Sequence, residues 1–195
     1  MKRPFHRRLP LAATVAGLLL SPIGQAADYL IDTKGSHAFI QFRIQHLGYS
    51  WLYGRFNSFD GRFSWDEKQP TASNVEVNID PASIDSNHVE RDNHLRSKDF
   101  LDVKQFPTAH FVSTSVAAEA GGGLLLKGKL SLHGVTRDID IKMHKLGEGA
   151  DPWGGYRAGF AGTTTLRLKD YGIQRDLGPA SQEVELTLSI EGVRQ

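Results

Sequence analysis

The chain has no cysteine. Disulfides, thiolate metal centres and cysteine nucleophiles are therefore excluded together. It also lacks an excess of either charge, with 23 Lys and Arg against 22 Asp and Glu. A chain so balanced, without a basic stripe, is a poor partner for nucleic acid. Long apolar runs are missing too: Leu9–Leu20 falls short of the about 20 residues that a membrane-spanning helix needs. No HExxH, HxH or GxSxG pattern occurs, which removes common zinc and serine-hydrolase signatures.

The apolar run has a different meaning in its context. Lys2, Arg3, Arg7 and Arg8 precede it without an acid among them, and Gly24-Gln25-Ala26 follows with small residues where a signal peptidase reads. This order predicts a secretory signal peptide over residues 1–26 and a mature chain that begins at Ala27 in the periplasm. With no cysteine after the apolar run, lipoprotein processing is excluded. Removal of residues 1–26 takes away four of the 23 basic residues and none of the 22 acidic ones, which leaves a formal charge of −3. Residues 27–195 then form one domain, held together by its core alone. A chain of that size can do this, because it buries roughly 70% of its unfolded surface.

Period-two alternation dominates the mature chain. Ala38, Ile40, Phe42 and Ile44 share one face opposite Gln41, Arg43 and Gln45; Val75, Val77 and Ile79 oppose Asn74, Glu76 and Asn78. Leu124, Leu126, Leu130 and Leu132, then Ile139, Ile141 and Met143, then Val184, Leu186, Leu188 and Ile190 repeat the pattern. Such alternation predicts antiparallel strands with one dry and one wet face. Further strands are expected over 54–65, 108–116 and 157–168. In the first, Phe56 is out of phase with Phe59, Phe63 and Trp65, which predicts a bulge. Turns are expected at Ala120–Gly123, Gly134–Thr136 and Gly147–Gly155. Only residues 87–106 break the rhythm, and helical pieces are expected over Val89–Leu101. About eight strands fit a sandwich or a closed barrel, and periodicity does not separate the two.

The polar residues give no reactive constellation. The seven histidines after residue 26 show no ligand spacing, since His88 and His94, six apart, share neither a helix face nor a strand pattern. Glu90-Arg91-Asp92-Asn93-His94 reads as the solvated start of a helix. Aromatic residues stand on or beside the dry faces, and composition does not distinguish a filled core from a lined cavity.

From Asp28 onward, however, the chain resembles the YceI family of bacterial lipocalin-like proteins. The likeness rests on Ser36-His37, His46-Leu47-Gly48, Gly54-x-Phe56, Ile79-x-Pro81-Ala82-Ser83-Ile84-Asp85 and, most specifically, the run from Arg91 to Phe100, RDNHLRSKDF. Phe106-Pro107, the stretch from Gly128 to Arg137 and Asp170-Tyr171-Gly172-Ile173 complete it. One departure is Leu168-Lys169 where many members have Asn-Arg, ahead of Asp170-Tyr171-Gly172 in place of Asp-Phe-Gly.

The resemblance implies an all-β fold, an extended eight-stranded antiparallel barrel with a short helical insertion. It implies an apolar pore for an isoprenoid-tailed lipid such as a quinone or prenyl compound, with no catalytic residues, no metal and no cofactor. From strand phase, Ile40, Phe42, Ile44, Phe59, Phe63, Val77, Phe111, Leu130, Leu132, Ile141, Phe160 and Leu188 are expected to point inward. Phe100 is expected to touch the ligand from the helical insertion, with Arg91, His94 and Arg96 facing its polar head; the alternative, equally open, is that Arg91 and Asp92 only anchor that segment by hydrogen bonds. Two alternatives stay open, a metal-dependent or acid–base periplasmic enzyme and a stress-related interaction protein with a filled core. A homodimer is open as well.

Overall fold

Alternation of this kind leaves every strand with one face to hide, and a sheet can hide that face by curling until its edges meet. The computed structural model describes residues 26–175 and 177–195 and shows this outcome. The expected signal peptide, apart from Ala26, lies outside the described residues. Eleven strands form one antiparallel sheet: β1 (Ala27–Ile31), β2 (Phe39–His46), β3 (Ser50–Phe56), β4 (Phe59–Trp65), β5 (Asn74–Ile79), β6 (Ile84–Asp85), β7 (Ala109–Ala118), β8 (Gly123–Leu132), β9 (Val135–Ala150), β10 (Tyr156–Arg167) and β11 (Glu183–Arg194). Among the described residues a single α-helix, α1 (Val89–Arg96), interrupts them.

Eight strands close the barrel in the order β1-β4-β5-β7-β8-β9-β10-β11, with β1 returning to β11. The choice between sandwich and barrel is thus settled by β1, a five-residue strand paired on one side with β4 and on the other with β11. Tyr29 makes that strand an anchor. Its ring is 1% exposed and stacks on Phe63 at 4.9 Å. The second edge of β11 is divided. Gly192–Arg194 pairs with β1, whereas Val184–Ser189 pairs with β2. From β2 the sheet continues outward through β3 to β6, so one half of the barrel carries an added flap.

Three expectations change. Residues 54–65 are not one bulged strand but the end of β3 and the whole of β4, with the chain bending at Asn57-Ser58. Backbone N–H groups of both bend residues donate to Ser83, to its carbonyl at 3.2 Å and its hydroxyl at 3.0 Å, so the ladder cannot continue there. Gly147–Ala150 belongs to β9 and not to a turn, because its backbone pairs with Tyr156–Gly159. The turn itself is short and centred on Asp151, whose carboxylate accepts from the N–H groups of Trp153 and Gly155 at 2.9 and 2.7 Å. The helix stops at Arg96, before Leu101, since Ser97 is extended and its hydroxyl donates to the His94 carbonyl at 2.7 Å. At the β8–β9 hairpin, Leu132 pairs with Val135 across His133-Gly134, both at positive φ (52° and 75°), as a two-residue type I′ turn requires.

Candidate functional site

The inward face of this barrel is not filled. Two adjoining chambers run through it, sharing Ile40, Ile79, Leu130 and Leu186 as common wall. The narrow chamber, about 120 Å³, lies among Phe63, Trp65, Val77, Phe111, Ile141, Phe160 and Leu188. The wide one, about 380 Å³, lies under the β2–β3–β6 flap and the helical insertion, among Phe42, Ile44, Leu52, Phe56, Leu132 and Phe100. Their walls are apolar almost throughout. A site of several hundred Å³ with a few polar groups at one end has the dimensions of a small-molecule pocket.

The residues singled out from strand phase gather here with one exception. Ile40, Phe42, Ile44, Phe63, Val77, Phe111, Leu130, Leu132, Ile141, Phe160 and Leu188 line one chamber or both, as does Phe100. Phe59 does not; it packs against the core beside β5, opposite Ile79. Its neighbour Phe56, read as out of phase, takes the lining position because the bend at Asn57 resets the alternation. Leu52, Ile84, Ile173 and Leu177 also line the wide chamber. Sequence reasoning missed them because they sit on the flap and in loops with no long alternation to read.

The polar candidates divide in a similar way. Arg91 and His94 line the wide chamber at its helix-capped end, together with His46. Arg91 is tied to Ser86, its Nε donating to the hydroxyl at 2.7 Å and an Nη to the carbonyl at 2.5 Å. Ser86 in turn donates from its backbone N–H (2.9 Å) and its hydroxyl to the buried Asp92 carboxylate. His94 Nε2 pairs with Asp99 at 3.0 Å and stands edge-on to Phe100 at 5.0 Å. Arg96 is turned away from the chamber. Its guanidinium donates to the carbonyls of Ala82 and Ile84, both at 2.7 Å, so it fastens the helix to the 3₁₀ turn Pro81–Ser83 and to β6.

Two further features have chemical interest. Tyr171 is 2% exposed and lines the wide chamber, and its hydroxyl has no hydrogen-bond partner among the described residues. Burial, reinforced by the Asp170 charge, pushes its phenol up to about 12, so it stays neutral and protonated. Outside the chambers, Asp32, His37 and Glu191 lie close enough to hold a cation. Arg157 already fills that role, with Nη1 at 2.6 Å from Asp32 and 2.5 Å from Glu191. The Arg157 guanidinium, with help from His37 and the Gly35 N–H, holds the Asp32 carboxyl well below the usual carboxylate range. No sequence spacing announces this cluster, because its members come from three distant segments.

Fold and site together define a lipocalin-like closed barrel with an apolar interior. The YceI-like domain model matches residues 29–192, and the chain belongs to that family. A UPF0312 protein of Pseudomonas paraeruginosa is 62% identical over 187 residues, 95% of this chain and 97% of that one. Among solved structures, Burkholderia cenocepacia BcnA superposes with a TM-score of 0.74 at 19% identity, covering 83% of this chain and 98% of that one. A polyisoprenoid binding domain from Saccharophagus degradans gives 0.62 at 15% identity, covering 88% and 100%. Among the described residues, no helix is long and apolar enough to cross a membrane.

Proposed function

We propose that this protein is exported to the periplasm and there binds or carries one long apolar lipid chain, an isoprenoid-tailed molecule such as a quinone or prenyl compound, inside the barrel. The observation that carries this reading is the pair of adjoining apolar chambers. Transfer of a chain from water gains about 0.8 kcal/mol per CH₂, so even a partly enclosed tail is held firmly without a specific polar contact. His46, Arg91 and His94 at the helix-capped end are the polar groups available to a head, and Phe100 is in place to touch the tail. The solved relative described as a polyisoprenoid binding domain supports the same ligand class.

A binding role fits better than catalysis. Catalytic groups with tuned pKa values gather in the cavity they serve. The strongly shifted pair Asp32 and Arg157 lines neither chamber and is engaged in its own ion pairs. Tyr171 does line the wide chamber, but burial pushes its phenol up to about 12, away from the range in which a general acid or base works. The test is mass spectrometry of an organic extract from protein purified out of its native periplasm. A prenyl lipid in near-equimolar amount is the expected result. A stoichiometric metal with no lipid would overturn the reading in favour of an enzyme. N-terminal sequencing of the same material is expected to begin at Ala27, and an intact Met1 on a membrane-bound product would remove the export claim.

A further inference from the structure

The barrel wall is not continuous. The ladder between β9 and β10 ends at Lys142–Thr163, although β9 reaches back to Val135 and β10 forward to Arg167. Over that length β9 still pairs with β8 and β10 with β11, so the two strands face each other with unpaired edges. Near the point of divergence the Thr164 hydroxyl donates to the Asp140 carbonyl at 2.8 Å, a side-chain clasp where a backbone bond would be expected. The far side is spanned by the 3₁₀ turn Leu168–Tyr171, held to β9 by Arg137 Nε donating to the Asp170 carbonyl at 3.0 Å. These three sides frame a window.

The window connects two environments. Outside it lies a groove of about 810 Å³ with the side chains of Thr163, Thr165 and Thr187 on its walls. Inside, Ile139 and Thr164 of that same groove also line the narrow chamber, Leu166 and Tyr171 the wide one, and Leu186 both. One layer of side chains therefore separates a wet groove from the dry interior. The charges on the groove are largely matched: Arg43 meets Glu185 at 2.7 Å and Asp138 meets Lys129 at 2.9 Å. Asp140 lies 3.7 Å from Lys127 and Arg167 3.3 Å from Glu183. Lys142 and Asp170, one charge of each sign, stand beside the hydroxyls and free strand edges of the same groove, a balanced lining that suits an uncharged, hydrogen-bonding group more than a strong anion or cation.

An amphiphile needs both environments at once. A head with several polar atoms is costly to bury unless each atom finds a partner, while its tail gains from a dry wall. Resting on the reading of the chambers as a lipid site, we propose that the β9–β10 window is a lateral opening of the barrel. In it the uncharged polar head of an amphiphilic lipid lies in the outer groove while the tail lies in the chambers.

Photolabelling of the wild-type mature protein tests this. The probe is a geranylgeranyl chain whose uncharged, hydroxyl-bearing head carries a diazirine, and the label is mapped by peptide mass spectrometry. Label concentrated on residues 137–142 and 163–171 is the expected result. Label concentrated on residues 46–52 and 91–101 would overturn the window and place the head at the helix-capped end, with lipid binding intact. Absence of saturable uptake of the chain would overturn lipid binding, and the window with it.

Discussion

The two ends of the barrel use the same kinds of residue at different densities. At the narrow end Phe160 stands edge-on to both Phe63 and Trp65, at 5.6 and 5.0 Å, and Phe63 stacks on Tyr29. At the wide end Phe100 has one such ring partner, His94, and looks onto the larger void. Both phenylalanines are nearly inaccessible, 6% and 7% exposed, so burial alone does not distinguish them. The difference lies in how many sides of each ring are in contact. A ring packed on most sides beside a small void stabilises the fold, whereas one packed on fewer sides beside a larger void keeps contacts in reserve for a ligand. One end is built to hold the barrel together and the other to accommodate.

The largest expected effect breaks the packed end. Phe160→Asp places an unpaired carboxylate against the rings of Phe63 and Trp65, at a cost on the order of 5 kcal/mol or more, comparable with the whole stability of a domain. Loss of the folded fraction, followed by circular dichroism together with lipid content, is the expected outcome. Unchanged melting would show that Phe160 does not face the interior. The comparison is sharpened by Phe160→Ala against Phe100→Ala. The first is expected to cost about 3–5 kcal/mol. The second is expected to cost about 1–2 kcal/mol less, because fewer contacts are lost beside an existing void, yet to release bound lipid faster. Equal costs with equal retention of lipid would assign the helical insertion to architecture alone.

Much of the wall was legible in the sequence, and the reason is periodicity. β2, β5, β8, β9 and β11 each alternate long enough for one residue's phase to fix its neighbours' faces, so Ile40, Val77, Leu130, Ile141 and Leu188 could be placed in advance. The reading failed where the phase is reset or the role is local. Phe59 and Phe56 exchange parts across a bend made by hydrogen bonds to Ser83, a residue 25 positions from Ser58. Arg96 resembles a head-group contact in sequence but is consumed by two backbone carbonyls. Closure by β1 and the gap between β9 and β10 are properties of register over the whole sheet, which no local pattern records.

Acid is expected to loosen the two ends unequally. Near the narrow end, Arg157 gathers Asp32, Asp151 and Glu191, and the Asp32 carboxyl is held well below its ordinary range by that arginine first and His37 next. A depressed carboxylate adds stability that is complete above its unfolded pKa and is lost as pH falls through the folded value. At the wide end Asp99 is also lowered, through its hydrogen bond to His94, but it is more exposed and the shift is screened. Melting curves between about pH 5 and pH 2 are expected to fall, and to fall less in Asp32→Asn than in the wild type. A similar flattening in Asp99→Asn and none in Asp32→Asn would reverse the assignment.

The smallest effect concerns a single atom at the wide end. The Tyr171 hydroxyl is buried and without a partner among the described residues, so the folded state carries its desolvation with no hydrogen bond in return. Removing an unsatisfied polar group while keeping the ring that packs the chamber wall is neutral or mildly stabilising. Tyr171→Phe is therefore expected to change stability by about 0–1 kcal/mol in the stabilising direction, measured by chemical denaturation of lipid-free protein. The departure from the family's Asp-Phe-Gly at this position gives the variant a second use. If the hydroxyl serves only packing, the lipid recovered from the variant matches that from the wild type. If stability is unchanged in lipid-free protein but the variant loses its lipid, the hydroxyl donates to the ligand through a small movement of the wall, and the wide end selects its ligand by a polar contact as well as by space. A loss of more than about 1 kcal/mol in lipid-free protein would show instead that the hydroxyl is satisfied in solution, and that the wide end is as fully engaged as the narrow one.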